Sequence, residues 1–390
     1  MRLRVSCIPY DKGKSGISVY TREVVRALAG QGHELTLLLE PDAQGREGLA
    51  SSCQASPVIS APRWTRRPLL SMLWHLFFLP FWIWRRRRDF DGFVICAANR
   101  RACAWYPLPT TATVHDLANF HIKGKYSRSR MFYLAHVLPF LAMRAQHLVA
   151  ISEATKADMV RFWRCRPNRI TVLYDGLSAP QLAGAAPAQS SAPQLEQGGP
   201  SGRPEQPRQS WLLYISRIEH PGKNHVRLIE AYGTLPRPLA EAHPLVLVGA
   251  DWKDAGVVHE AAAKSPNAPF IRFTGFADNA ALAAVWSQTG FYIFPSLFEG
   301  FGLSLVEAMA RGIPCACSGN GSLGEIGGGV AITFDPESVE SIATALRELL
   351  TEAPGDRARR ITRGHERARR FSWPDHAAGL ARLITKGTGR

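Results

Sequence analysis

The run Phe294-Pro295-Ser296-Leu297-Phe298-Glu299-Gly300-Phe301-Gly302-Leu303-Ser304-Leu305-Val306-Glu307-Ala308 sets two carboxylates around a glycine-containing loop. The apolar residues before Pro295 read as a strand, and those after Gly302 as a helix. The amides of Gly302 and Leu303 then stand at a helix start, where the first N–H groups lack intrahelical partners and the dipole favours an anion. A diphosphate suits such a cradle. Glu299 lies on the loop and Glu307 about two turns beyond it, so the two reach different parts of one extended ligand. A carboxylate can hold two ribose hydroxyls at once. The plain alternative is a strand–turn–helix with two solvated glutamates, and the glycine loop between them argues against it.

The elements that must carry this loop follow a repeating order. Arg4 to Pro9 reads as a strand, Asp11 to Gly16 as a loop, Tyr20 to Ala29 as a helix with Val24, Val25 and Leu28 on one face, and Glu34 to Leu39 as a second strand. Gly30 and Gly32 stop that helix. Further strands are expected at Gly92–Cys96, Thr111–Val114, His147–Ile151 and Ile170–Tyr174. From Ala179 to Ser210 large apolar residues almost vanish among Pro, Gln, Ala, Gly and Ser, which reads as a flexible linker.

The alternation then restarts. Strands are expected at Trp211–Ile215, Pro244–Gly249, Phe270–Phe273 and Phe291–Phe294, with helices at His225–Tyr232, Asn279–Ser287, Gly302–Ala310, Ser338–Thr351 and Pro374–Thr385. Strand–helix–strand order demands right-handed parallel crossovers and places a ligand at the C-terminal strand ends. The expected fold class is α/β, two Rossmann-like, doubly wound domains facing across a cleft.

Composition agrees with that plan. The 390 residues exceed one ordinary core, and 46% hydrophobic with 20% charged residues is globular composition rather than that of a disordered chain. The formal net charge of +15 implies acidic partners, such as nucleic acid, anionic lipid or phosphorylated small molecules. Arg63, Arg66 and Arg67 precede the apolar stretch Leu69 to Trp84, and Arg85 to Arg88 follow it. The stretch is short for a spanning helix and holds His75 and Pro80. Two readings stay open: an interfacial element on an anionic membrane surface, or a buried domain helix with solvated arginines at its ends. The seven cysteines, at 7, 53, 96, 103, 165, 315 and 317, have no paired metal spacing. Their odd number, with no secretion signal before the first strand, points to a reducing cytosol.

Pro295 to Gly302 together with Glu307-Ala308-Met309-Ala310-Arg311-Gly312-Ile313-Pro314 resembles the signature of glycosyltransferase family 4, whose members are retaining, nucleotide-sugar-dependent enzymes of the GT-B fold. The resemblance places Glu299 at the donor sugar and anomeric centre and Glu307 on the ribose. It gives the amides of Phe301, Gly302 and Leu303 to the sugar and phosphates. Ile215-Ser216-Arg217 followed by Gly222-Lys223-Asn224 is similar to the family's Arg…Lys diphosphate pair. Thr113-Val114-His115-Asp116-Leu117 resembles the acceptor-side His-Asp, with His115 facing the donor sugar. Ala150 to Glu153, Val172 to Gly176, and Phe371-Ser372-Trp373 also follow the family order.

By this resemblance residues 1–178 form the acceptor domain, 179–210 the linker, 211–370 the donor-nucleotide domain, and 371–390 a helix crossing back to the first domain. Three places depart from the pattern. The first loop, Lys14-Ser15-Gly16-Ile17-Ser18, keeps Gly16 near the donor but has serine at two positions where glycine is common. Asp175 stands where asparagine is usual, and Gly327-Gly328-Gly329-Val330 replaces a stretch that commonly carries an acidic residue.

The implied reaction is transfer of a hexose, with a lean to mannose or rhamnose, from a nucleoside-diphosphate sugar to a saccharide acceptor with retention of configuration. The leaving phosphate takes the acceptor's proton on the same face. No Asp-x-Asp metal site is visible, so no metal and no cofactor beyond the nucleotide-sugar co-substrate are expected. A basic, Trp-rich segment in the acceptor domain suits a lipid-linked saccharide, as in polysaccharide or O-antigen assembly. The matching location is cytoplasmic, peripheral at the inner face of the cytoplasmic membrane, with Arg63–Arg88 on an anionic surface. Two other classes stay open: a catalytically inactive sugar-nucleotide-binding scaffold, and a nucleic-acid binder. The latter lacks any aromatic-interleaved basic motif, so no nucleic acid is expected.

Overall fold

Short runs of Val, Leu, Ile and Phe buried on both faces form the central strands, as parallel sheets covered by helices require. The computed structural model describes residues 1–8, 10, 15–39, 49, 57–121, 128–177 and 210–387. Within it the chain divides into two compact units, Met1–Ser178 with Phe371–Arg390, and Ala179–Arg370. Residues 179–209 of the expected linker, Cys53, and Lys14 of the first loop lie outside the described residues.

The N-terminal unit holds a seven-stranded sheet in the order β3-β2-β1-β4-β5-β6-β7. The strands are β1 Arg2–Ser6, β2 Glu34–Leu39, β3 Val58–Ser60, β4 Gly92–Ile95, β5 Thr110–Val114, β6 His147–Ala150 and β7 Ile170–Val172. All neighbours pair in parallel. The chain builds outward from β1 to β3 and then restarts at β4 on the other side of β1, which makes β1/β4 the switch point. The Gly16–Gly30 helix follows β1 and is capped by Ser15, whose side chain accepts from the Ser18 amide. The last helix, Trp373–Gly387, packs on the Gly16–Gly30 helix and on β5.

A hydrogen-bonded chain holds these pieces. His376 Nδ1 donates to the Tyr174 carbonyl at 2.9 Å, so its Nε2 accepts from the Tyr20 hydroxyl at 2.9 Å. The Tyr20 oxygen lies 2.9 Å from Thr113 Oγ1. Gly176 lets the segment return: a Cβ there would collide with the backbone of Ser372 and Trp373.

The C-terminal unit holds six parallel strands in the order β10-β9-β8-β11-β12-β13, with its switch point at β8/β11. They are β8 Trp211–Ile215, β9 Leu245–Val248, β10 Ile271–Gly275, β11 Thr289–Phe294, β12 Cys315–Ser318 and β13 Ile332–Phe334. Strands β3, β12 and β13 and the helices Ala255–Lys264, Gly321–Gly327 and Pro354–Ala368 add to those read from sequence.

The Leu69–Trp84 stretch resolves into one two-sided element. A helix over Pro68–Leu73, a π-helical turn over Trp74–Phe78 and a helix over Leu79–Arg85 run on from one another. Leu79, Ile83 and His75 are buried, as a domain helix requires, while Phe77, Phe78 and Phe81 are exposed. Among the described residues no helix is long and apolar enough to cross a membrane. Six of the cysteines are buried free thiols.

Candidate functional site

The signature loop leaves the C-terminal end of β11, and the Arg217–Lys223 loop leaves the end of β8, the two strands that flank the switch point. The helix after the signature loop is Leu303–Ala310, one residue later than expected, because Gly302 is its left-handed cap at φ 101°. A Cβ on Gly302 would also stand 2.6 Å from Leu323 Cδ2, so Leu323 would have to shift, but it is the positive φ that favours glycine.

The two loops are joined through backbone and side chains. The Leu297 amide donates to the Gly222 carbonyl at 3.1 Å. Asn224, with φ 60°, donates through Nδ2 to the carbonyls of Pro295 at 2.9 Å and Pro336 at 2.7 Å. Tyr214 donates its hydroxyl to the Lys223 carbonyl at 2.9 Å and lies 3.0 Å from Ser296 Oγ. Burial, and after it the charge of Glu299, pushes the Tyr214 phenol up, so it stays a neutral donor. From the Gly321–Gly327 helix, Ser322 Oγ contacts the carbonyls of Glu299 at 2.8 Å and Phe301 at 3.1 Å.

This frame brings Lys223 Nζ to 2.6 Å from Glu299 Oε1, both side chains being mostly buried. An ammonium has three donors and the carboxylate fills one, which leaves Lys223 able to bind phosphate without releasing Glu299. Arg217 is half exposed, 3.3 Å from Glu219 Oε2 and 5.2 Å from the Trp252 ring centroid. Its single carboxylate contact leaves donors of the guanidinium fork to reach a second anion. Glu307 is partly buried on the second turn of the Leu303–Ala310 helix, on whose first turn Ser304 Oγ accepts from Tyr292 at 2.7 Å.

His115 and Gly16 lie in the N-terminal unit, and the other seven expected site residues lie in the C-terminal one. His115 follows β5 and is buried, with Nε2 2.6 Å from the Cys96 carbonyl. A carbonyl only accepts, so Nε2 carries the proton and Nδ1 is the acceptor of the neutral ring. Burial lowers its pKa to about 4, which keeps it neutral. Gly16 opens the Gly16–Gly30 helix, where a Cβ would meet nothing, so local sterics alone do not require glycine there.

Asp175 is buried, and burial holds its carboxyl well above the usual range. Burial thus favours the neutral form of a side chain that is close in shape to the asparagine of the family pattern.

Two family models match the chain in tandem, Glycosyltransferase Family 4 over residues 14–179 and Glycosyl transferases group 1 over residues 201–367. The chain belongs to glycosyltransferase family 4. Among curated relatives, O-antigen chain mannosyltransferase B of Escherichia coli is 28% identical over 264 residues, covering 67% of this chain and 66% of that protein. A serotype-specific mannosyltransferase of Escherichia coli is 27% identical over 290 residues, covering 71% of this chain and 34% of that protein. The chain therefore spans just under two thirds of the first relative and about a third of the second.

Among solved structures, sucrose-phosphate synthase from Thermosynechococcus elongatus has a TM-score of 0.73 at 18% identity, covering 100% of this chain and 99% of that one. Anabaena HepE, solved with UDP and glucose, has a TM-score of 0.71 at 16% identity over 99% of each chain. At such identities the likeness concerns the fold, which is GT-B.

In this family 4 chain the sequence motifs name the charged groups, while the frame around them went unread. Tyr214, Asn224, Ser296 and Ser322 position the Lys223–Glu299 pair. Asn224 sits beside a motif lysine and Ser296 within the signature, so these two had a local signal. Tyr214 and Ser322 had none, because each contacts the site from a different strand or helix.

Proposed function

We propose that the chain is a retaining hexosyltransferase that takes a hexose, mannose or rhamnose, from a nucleoside-diphosphate sugar to a lipid-linked saccharide acceptor in polysaccharide or O-antigen assembly. The observation that carries this reading is the 2.6 Å Lys223–Glu299 bond at the β8/β11 switch point, beside the start of the Leu303–Ala310 helix. The diphosphate lies against Lys223, Arg217 and the amides of Phe301, Gly302 and Leu303, and the ribose on Glu307. Glu299 lies at the sugar, aligned by the lysine it shares with the phosphate. The anomeric carbon–phosphate oxygen bond breaks and a bond from that carbon to the acceptor oxygen forms on the same face. The acceptor's proton passes to the departing phosphate. Lys223, Arg217 and the helix start stabilise the negative charge that develops there, so the donor's charge is met without a divalent ion.

The neutral His115 presents Nδ1 to a sugar hydroxyl, and Gly16 admits the donor close to the backbone. The names of the two mannosyltransferase relatives support the mannose lean. The same reading places the protein in the cytoplasm, peripheral at the inner face of an anionic membrane through Arg63–Arg88.

The test is thermal stabilisation by UDP, GDP, dTDP and ADP in turn, then turnover with the matching sugar nucleotide and the anomeric configuration of the product. A ligand at a hundredfold excess over its Kd adds about 2.7 kcal/mol. Stabilisation by one nucleotide with retained configuration supports the reading. Stabilisation without turnover on any lipid-linked acceptor overturns it in favour of an inactive scaffold, and no stabilisation by any of the four overturns the donor site itself.

A further inference from the structure

The N-terminal unit carries a second bulged helix built like Leu69–Trp84, and sequence reading passed over it. A helix over Arg128–Phe132, a π-helical turn over Tyr133–Val137 and a helix over Leu138–Ala142 repeat the order helix, π turn, helix. In both, the π turn is closed by a bond five residues back, Leu79 N–H to the Trp74 carbonyl and Leu138 N–H to the Tyr133 carbonyl. In both it runs into Leu-Pro-Phe, at Leu79-Pro80-Phe81 and Leu138-Pro139-Phe140. Proline has no N–H and frees the carbonyl four residues back. For Pro80 that carbonyl belongs to Leu76, and it accepts from the Ala104 amide at 3.1 Å.

Both elements cover the same face of the seven-stranded sheet. Leu79 and Ile83 from one and Leu138 and Ala142 from the other join one core with Ile95 and Val114 of the sheet. Arg101 lies close enough to influence both His75 and Tyr133, one on each element. The outward faces match. Leu69, Leu73, Phe77 and Phe81 form an exposed stripe at four-residue spacing, continued by Trp84 stacked on Phe81 at 5.9 Å. Phe132, His136 and Phe140 repeat that spacing, with Phe132 64% and Phe140 58% exposed. Arginines stand at both ends of each: Arg66, Arg67, Arg85 and Arg86 on the first, Arg128, Arg130 and Arg144 on the second. Neither 57–88 nor 128–144 contains an acidic residue, and Asp89 directly follows the first range.

The geometry points to a two-element docking face for an anionic phospholipid bilayer, in which Phe132 and Phe140 enter the interface as well as Phe81 and Trp84. Ring side chains with arginines at helix ends suit headgroup depth, where aromatic rings sit at the acyl boundary and guanidinium groups meet phosphate. The charge complementarity favours lipid, since a bilayer supplies phosphate along the whole length of both stripes. The inference rests on the membrane reading proposed above and adds a second contact element to it.

The test is co-sedimentation of the full chain with vesicles of phosphatidylcholine containing phosphatidylglycerol, against vesicles of phosphatidylcholine alone. The variants are Phe81→Ser, Phe132→Ser with Phe140→Ser, and Arg128→Ser with Arg130→Ser and Arg144→Ser. Nucleotide-induced thermal stabilisation in solution serves as the folding control, because these residues lie outside the donor site. Each variant is expected to weaken binding to the anionic vesicles about tenfold or more, as loss of half-exposed ring burial or of several surface arginines implies. Loss with Phe81→Ser but none with the 132/140 or the arginine variants overturns the two-element face and leaves the Arg63–Arg88 reading standing. Equal binding to both vesicle types overturns the anionic source. Absence of vesicle binding by the unaltered chain overturns both readings, and capture of a protein partner by the same stripes reassigns the face.

Discussion

At the C-terminal ends of their central strands the two units bury different chemistry on the same parallel-sheet plan. The C-terminal unit keeps charge: Lys223, Glu299 and Arg217 stand at the β8/β11 switch point with partial access to water. In its N-terminal counterpart, burial favours the neutral forms of the titratable groups there. His115 and His376 are held to pKa values of about 4, and the Asp175 carboxyl is pushed well above its usual range, all by burial. A charged group needs access to water or a paired partner, whereas a neutral, hydrogen-bonded group loses little on burial.

The largest expected effect tests the charged side. Lys223→Ala and Glu299→Ala should each lower kcat/KM by about 10²–10³, the range seen when one donor to a developing charge is removed. His115→Ala should cost less. An equal loss at His115 would place the chemistry in both units alike.

Mild acid tests the neutral side. His75, with a pKa lowered to about 3, His115 and His376 lie in the N-terminal unit, and His225, lowered to about 4, is the deeply buried one in the other. Each is protonated in the unfolded chain at a higher pH than in the folded one. Stability is therefore lost as pH falls from about 6.5 towards 4, by about 2 kcal/mol per histidine at pH 5. Asp175 works the other way, since its folded pKa is raised, and offsets part of this. Hydrogen exchange at pH 5 should show β4 and β5 losing protection before β8 and β11; the reverse order would contradict these assignments.

Two smaller substitutions sharpen the contrast. Glu307→Ala should weaken nucleotide binding about tenfold, roughly the worth of one charge-assisted hydrogen bond, with the ligand-free melting temperature unchanged. A drop in melting temperature would make Glu307 structural. Asp175→Asn should stabilise the protein at neutral pH by about 1 kcal/mol, with the gain shrinking on acidification, because the amide needs no proton to be neutral. Loss of stability would mean that Asp175 is ionised and paired. The smallest expected effect is none: EDTA should leave turnover unchanged, and a fall restored by Mg²⁺ would bring in a metal.

How much was legible depended on whether the signal was local. Strand β9, Leu245–Val248, was visible as an unbroken apolar run, whereas β12, Cys315–Ser318, is four small residues that become a strand through pairing with β11 and β13. The Pro354–Ala368 helix buries little beyond Gly364 and Ala368 among its arginines, so its apolar period is too sparse to register. In the Leu69–Trp84 stretch the apolar character was plain, but the register was not, since a π turn shifts which residues face outward.

The sequence by itself determined the two α/β halves and the spacing of Glu299, Gly302 and Glu307, because apolar periodicity and glycine at a left-handed position act within a few residues. Only the tertiary structure decided that Lys223 meets Glu299 across 76 residues, that burial lowers the His115 pKa and raises that of Asp175, and that a second bulged helix lies on the same sheet face as the first. Each of those depends on desolvation or on contacts between distant segments, and neither is written in any short stretch of chain.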